Sequence, residues 1–190
     1  MTRVLAYVFW HRPAEPDAGE YVAALAGFQS ALADARVPGF RGASVHAVPV
    51  LPWSEAPGYE DWYLVDGSAA LDPLDEAAIS GARQAPHDAA AACAAWGTAG
   101  LYRLRLGAPA SDAHSHACWL AKPAGLRYPE FLERLAPAVE GAGAALWGRQ
   151  MTLGPTPEFC LLSNREIAAL PFPVALRVSR RRVWPPAAER

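Results

Sequence analysis

The sequence predicts an α+β fold made of two tandem copies of one βαββαβ unit. Three observations predict it: an internal match at constant displacement, a first strand that is apolar on both faces, and a succession of apolar periodicities that reads strand, helix, strand, strand, helix, strand twice over. Moving 110 residues along the chain places Phe9 on Trp119, Arg12 on Lys122 and Pro13 on Pro123. At the same displacement Glu20 falls on Glu130, Tyr21 on Phe131, Val22 on Leu132 and Leu25 on Leu135. After a short loop deletion Phe40-Arg41-Gly42 meets Leu146-Trp147-Gly148, and Asp61-Trp62-Tyr63-Leu64-Val65 meets Glu158-Phe159-Cys160-Leu161-Leu162. The expected boundaries are 1–110 for the first unit and 111–184 for a shortened second unit, with 185–190 a disordered tail.

The first copy reads element by element. Arg3 to His11 is rich in β-branched and aromatic residues, with Leu5, Tyr7 and Phe9 on one face and Val4, Ala6, Val8 and Trp10 on the other. A strand apolar on both sides is covered on both sides. Tyr21, Leu25, Phe28 and Leu32 recur at helical spacing, and Pro38-Gly39 stops that helix. Strands follow over Phe40 to Val50 and Glu60 to Val65, joined by a loop with Pro52, Pro57 and Gly58. Asp72-Pro73 predicts a helix start, with Asp72 as N-cap and proline at the first helical position. The alanine-rich run to Ala95 is helical but carries Pro86, which is expected to split it in two. Thr98 to Leu106 closes the copy as a strand.

In the second copy the strands are expected at Ser115 to Ala121, Ala145 to Leu153, Glu158 to Leu162 and Val174 to Trp184, with a helix over Tyr128 to Glu140. Its second helix is expected to shrink to a turn or two around Glu166 to Leu170, cut off by Pro171 and Pro173. A helical layer that short cannot wall in a cleft, so any functional pocket is expected in the first unit.

Composition bounds the function. Just over half the residues are apolar (52%) and 19% are charged, enough to build a core. Seventeen basic residues against 19 acidic ones leave −2, which argues against nucleic acid as a partner, since phosphate binding needs a basic excess. No apolar run is long enough to span a membrane, and the amino terminus lacks the pattern of a signal peptide, so a cytoplasmic location is expected. Cys93, Cys118 and Cys160 are widely spaced and odd in number; they read as buried thiols, without a disulfide framework or zinc site. No nucleotide loop, GxSxG elbow, HExxH or paired catalytic carboxylates are present.

The element order βαββαβ is the ferredoxin-like one. With its duplication and doubly apolar first strand, the chain resembles the dimeric α+β barrel superfamily. The resemblance covers nearly the whole chain and implies that the two antiparallel sheets pair into an α+β barrel, burying faces that would otherwise be a large wet apolar patch. It implies a monomeric pseudo-dimer or a homodimer, and small hydrophobic or aromatic ligands held between sheet and helices. Cofactor-free monooxygenases, polyketide cyclases, muconolactone isomerases and haem-binding proteins share the architecture. No subfamily motif is legible here.

The candidate chemistry lies in histidines and aromatics. His11 ends the first strand where a cleft often opens, and an imidazole there could act as a general base. His46, with Ser44 on its face, suits a cavity wall, and His116 sits in a strand. Tyr63 could donate a hydrogen bond, and Tyr21, Trp62 and Trp96 are ligand-contact candidates. Against each stands a plainer reading as core or strand-end residue. His114 and His116 share a strand face and could grip a metal if His46 or Asp112 joined them, but no third ligand has clear spacing, so no metal and no cofactor are expected. His87 reads as a solvent-facing helix-start residue, and Arg177, Arg180, Arg181 and Arg182 as a solvated edge strand. The expected function is a small-molecule pocket protein for a hydrophobic or aromatic compound. The alternatives are a cofactor-free monooxygenase, cyclase or isomerase on an aromatic or polyketide-like substrate, and a structural protein with filled pockets.

Overall fold

The computed structural model describes residues 4–14, 18–109 and 113–186. The first unit contains β1 (Leu5–Pro13), α1 (Ala18–Asp34), β2 (Phe40–Val48), β3 (Gly58–Val65), α2 (Leu71–Ala78), α3 (Gln84–Ala92) and β4 (Ala94–Gly107). The second contains β5 (His116–Leu120), α4 (Tyr128–Ala142), β6 (Ala145–Arg149), β7 (Phe159–Ser163), β8 (Leu176–Ser179) and β9 (Arg181–Trp184). One antiparallel sheet of nine strands runs β8-β5-β7-β6-β4-β1-β3-β2-β9. Each unit has the same internal order: β4-β1-β3-β2 in the first and β8-β5-β7-β6 in the second. Of the tail expected at 185–190, residues 187–190 lie outside the described ones. Among the described residues no helix is long and apolar enough to cross a membrane.

Two long strands exchange partners between the units and close the barrel. β4 pairs with β1 along its first part and with β6 of the second unit along its last. β8 and β9 are two halves of one strand, interrupted at Arg180; β8 pairs with β5, and β9 crosses to pair with β2 of the first unit. The reading of these arginines as a solvated edge strand therefore holds for Arg177, Arg181 and Arg182, which are exposed on the strands at the two ends of the sheet order, and fails for Arg180. Arg180 is 4% exposed, its Nε bonded to the buried Glu60 and its Nη1 donating to the His114 carbonyl at 2.7 Å.

Alternation along β1 works as a strand covered on both sides requires. Val4, Ala6, Val8 and Trp10 enter the barrel interior with Trp62, Tyr102, Trp119 and Trp147, while Leu5 joins the layer under the helices. The interior is tiled by edge-to-face rings: Trp10 on Trp119 at 5.7 Å and Trp62 on Trp147 at 5.6 Å. Trp53 plugs one end, its ring 4.9 Å from Trp10.

The internal repeat is real in topology but shifted by one residue in its strands. Phe9 lies on the helix side of the sheet, whereas Trp119 lies inside the barrel beside Trp10. A one-residue slip exchanges the faces, so Trp10, not Phe9, shares a face with Trp119. The helices keep the expected correspondence, Tyr21 and Leu25 with Phe131 and Leu135 all buried against the sheet.

Three helix expectations also change. The split in the alanine-rich stretch falls at Ser80-Gly81, where Gly81 has φ 59, and Pro86 sits in the first turn of α3, where a missing N–H costs nothing. Asp72 lies in the first turn of α2 without capping it by a side-chain hydrogen bond. The expected turn of helix at Glu166 to Leu170 is absent; that stretch is irregular. Phe172 packs instead on Phe131 at 4.8 Å, filling the place where a cleft would lie in the second unit.

The Glu60–Arg180 pair yields a prediction. Arg180→Met strands a buried carboxylate inside the barrel and is expected to cost about 3–5 kcal/mol in chemical denaturation. Adding Glu60→Leu recovers part of that loss, since the uncompensated charge is then gone. A single variant as stable as the double one would show that the pair does not hold the barrel closed.

Candidate functional site

A cavity of about 600 Å³ lies in the first unit between the sheet and its helices. β1 supplies Tyr7, Phe9 and His11, β3 supplies Asp61 and Tyr63, and α1 supplies Tyr21, Leu25, Phe28 and Leu32. Helices α2 and α3 wall the far side, with Leu74, Ala78, Ile79 and Ala90 apolar and Asp72, Asp75 and His87 polar.

Register explains why the floor is polar. In the β1–β3 ladder Phe9 faces Asp61 and His11 faces Tyr59, so His11 and Asp61 are diagonal neighbours on the helix side, within reach of long side chains. Tyr63 follows Asp61 by two residues on the same face. His11 is fully buried and stacked between Phe9 (5.0 Å) and Tyr59 (5.8 Å), which fixes its ring plane.

These groups form one connected chain. His11 Nε2 lies 2.9 Å from Asp61 Oδ1, and His11 Nδ1 lies 2.5 Å from the Tyr21 hydroxyl. A carboxylate only accepts, so Nε2 carries the proton toward Asp61. In the neutral ring Nδ1 then accepts from the Tyr21 O–H. Asp61 Oδ2 accepts from Tyr63 at 2.9 Å and from Gln29 Nε2 at 3.2 Å, and Gln29 also donates to the Tyr63 oxygen at 2.7 Å. Three donors thus converge on a carboxylate that is 2% exposed.

The phenols report the electrostatics of the floor. Burial pushes the Tyr21 phenol up, and the Asp61 charge adds to it. Tyr63 is held well above its ordinary value by burial first, then by the Asp61 charge and by donating to that carboxylate. At the mouth Tyr7 is raised by burial, then by Asp75 and Asp61.

The structure brings together His11, Tyr21 and Tyr63 of the residues singled out from sequence, and adds Asp61 and Gln29, which were missed. The others lie elsewhere. Trp62 is fully buried inside the barrel, and Trp96 packs against that interior under Arg12, so neither lines the cleft. His46 sits at the end of the barrel, its Nδ1 accepting from Arg180 Nη2 at 3.0 Å, beside a separate hollow of about 240 Å³ shared with His114. His116 is half-buried next to the Ser115 hydroxyl. His87 is half-exposed at the cleft mouth, edge-on to Phe28 and bonded to Asp88. Among the described residues no three His, Cys, Asp or Glu side chains converge as metal ligands, and Asp112 lies outside those residues. Cys118 and Cys160 are buried and Cys93 half-buried, all free thiols.

The cleft offers haem no cation for its propionates: the lining carries Asp61, Asp72 and Asp75, and among the described lining residues there is no lysine or arginine.

No family model matches the chain, and no curated protein matches it. Solved structures do. A proposed monooxygenase of Fusobacterium nucleatum is 10% identical with a TM-score of 0.62, covering 96% of this chain and 93% of the other. A proposed monooxygenase of Lactobacillus acidophilus is 11% identical with a TM-score of 0.57, covering 95% and 94%. A proposed chlorite dismutase is 11% identical with a TM-score of 0.57, covering 95% of each chain. At such identities the likeness establishes a shared fold, that of the ferredoxin-like α+β barrels, and not a shared reaction.

The raised phenols set the alkaline stability. An unfolded chain releases tyrosine protons from about pH 10 upward, while folded Tyr7, Tyr21, Tyr63 and Tyr102 hold theirs longer. Their contribution is therefore complete below about pH 10 and is lost as pH rises through the higher folded values. The denaturation midpoint is expected to fall above about pH 10, and Tyr21→Phe and Tyr63→Phe each to flatten that fall. A midpoint with the same pH dependence in both variants would contradict this.

Proposed function

We propose that this chain takes a hydrophobic or aromatic small molecule into the cleft of its first unit. One observation supports the reading: a cavity of about 600 Å³ with apolar walls and a buried hydrogen-bonded chain on its floor. Small-molecule sites have this size and this mixture of apolar lining with few polar groups. A flat neutral phenol such as 2-naphthol is a suitable probe. It is expected to bind with a Kd of about 1 mM or tighter, and Ala78→Trp, which fills the cleft from α2, to weaken it by about tenfold or more. A wild-type chain that binds no such compound speaks against the reading.

The Tyr21–His11–Asp61 chain favours a second reading, an enzyme of the cofactor-free monooxygenase, cyclase or isomerase kind acting on an aromatic or polyketide-like substrate. Such reactions begin with loss of a proton from a phenol or an acidic carbon. Here the Tyr21 oxygen takes the substrate proton while its own proton passes to His11 Nδ1. The imidazolium is then held against Asp61, and the electron pair of the broken bond stays on the substrate as an enolate or phenolate. Tyr21 never becomes a free phenolate, which suits a phenol pushed up by burial and by Asp61. Tyr63 and Gln29 position the carboxylate. The measurement is exchange of the acidic carbon-bound protons of 2-tetralone in heavy water, followed by NMR. Wild-type protein is expected to accelerate it, and Tyr21→Phe or His11→Gln to lose about a hundredfold. Equal exchange by all three proteins would leave only the binding role.

A further inference from the structure

We infer that the cleft selects a ligand bearing positive charge, a protonated amine on a hydrophobic, aromatic body. The inference rests on the cleft reading above and names the substrate class of that site. Two features of the lining point to it, one of charge and one of hydrogen-bond polarity.

The charge is one-sided. Asp72 and Asp75 lie three residues apart on α2, one face of the helix, and both line the mouth. Asp61 lies on the floor beneath them. Among the described lining residues no lysine or arginine offsets these carboxylates. Arg83, beyond the end of α2, is engaged elsewhere: its Nε donates to the Ala77 carbonyl and its Nη2 to Ser80 Oγ at 3.2 Å. The field reaches across the cleft, for Tyr7 on β1 is pushed up by burial and further by both Asp75 and Asp61. Low-dielectric walls focus such a field and raise the local concentration of the opposite charge.

The hydrogen-bond polarity agrees. With its proton given to His11 Nδ1, the Tyr21 oxygen presents lone pairs to the cleft. The carboxylates of Asp72 and Asp75 at the mouth present acceptors alone. Floor and rim therefore ask for donors from the ligand. An ammonium group has N–H donors and the matching charge, while the rings of Tyr7 and Phe28 suit an aromatic body and offer faces to a cation. A carboxylate ligand would face Asp72 and Asp75 at the rim and Asp61 on the floor, against the Tyr7 hydroxyl and the His87 ring, itself beside Asp88, as the donors at the mouth.

The test compares three ligands of one shape by calorimetric titration of the full chain at neutral pH: 2-naphthylmethylamine, 2-naphthol and 2-naphthoate. The amine is expected to bind about tenfold or more tightly than the naphthoate at low salt. That ratio should shrink when salt screens the exposed rim carboxylates, and fall toward one in the double variant Asp72→Asn/Asp75→Asn. A wild-type ratio near one, a preference for naphthoate, or a ratio that survives the double substitution overturns the inference while leaving the cleft a binding site. If none of the three binds, naphthol included, the cleft reading itself fails and the inference with it.

Discussion

The inner face of the nine-stranded sheet must be kept from water, and most of the structure follows from that requirement. Trp10, Trp62, Trp119, Trp147 and Tyr102 are each at most 1% exposed, and among the described residues no helix covers them. Their cover is the sheet itself, curled until the two units face each other. Closure demands that strands leave one unit and pair with the other, which β4 and the split strand β8–β9 do. Arg180 sits at that split, so its guanidinium enters the barrel and needs an anion. Glu60, on the inward face of β3, is that anion.

Duplication within one chain lets the two units diverge. A symmetric pair of separate chains would need every residue to serve both clefts at once. Here the first unit keeps a two-piece helical layer and an open cleft. In the second, the chain between β7 and β8 is irregular and Phe172 fills the space against Phe131 and Phe159. One half has become packing support for the other. The polar floor of that cleft is built where β1, β3 and α1 meet.

Local periodicity made much of this legible, and long-range register hid the rest. The apolar alternation in β1 revealed a strand buried on both sides, and the spacing of Tyr21, Leu25, Phe28 and Leu32 revealed the face of α1. Both are properties of neighbouring residues. By contrast, the pairing of His11 with Asp61 joins residues fifty positions apart, through a ladder whose register no local pattern reveals. The same ambiguity produced the one-residue slip that matched Phe9 with Trp119. A signal for the site did exist: in Tyr59-Glu60-Asp61-Trp62-Tyr63, strict alternation places Asp61 with the two tyrosines and Trp62 away from them. Choosing Trp62 as a ligand contact followed its aromatic character and neglected its face. Arg180 was misread for a related reason, since a run of arginines looks solvated until the strand's second partner is known.

Glu60 and Asp61 show how neighbouring carboxylates on one strand acquire opposite meanings. Both are almost fully buried, at 1% and 2% exposure. Alternation turns Glu60 into the barrel, where the Arg180 guanidinium pairs with it. Asp61 turns toward the cleft, where its partners are a phenol, an amide and an imidazole. Of these the imidazole is the one that also touches the Tyr21 hydroxyl, so it ties the carboxylate to the cleft wall. Glu60 thus joins the two units through Arg180, whereas Asp61 is linked to the cleft through His11 and Tyr21. The difference lies in which way each side chain faces, and it separates the interior that holds the two units together from the floor of the cleft.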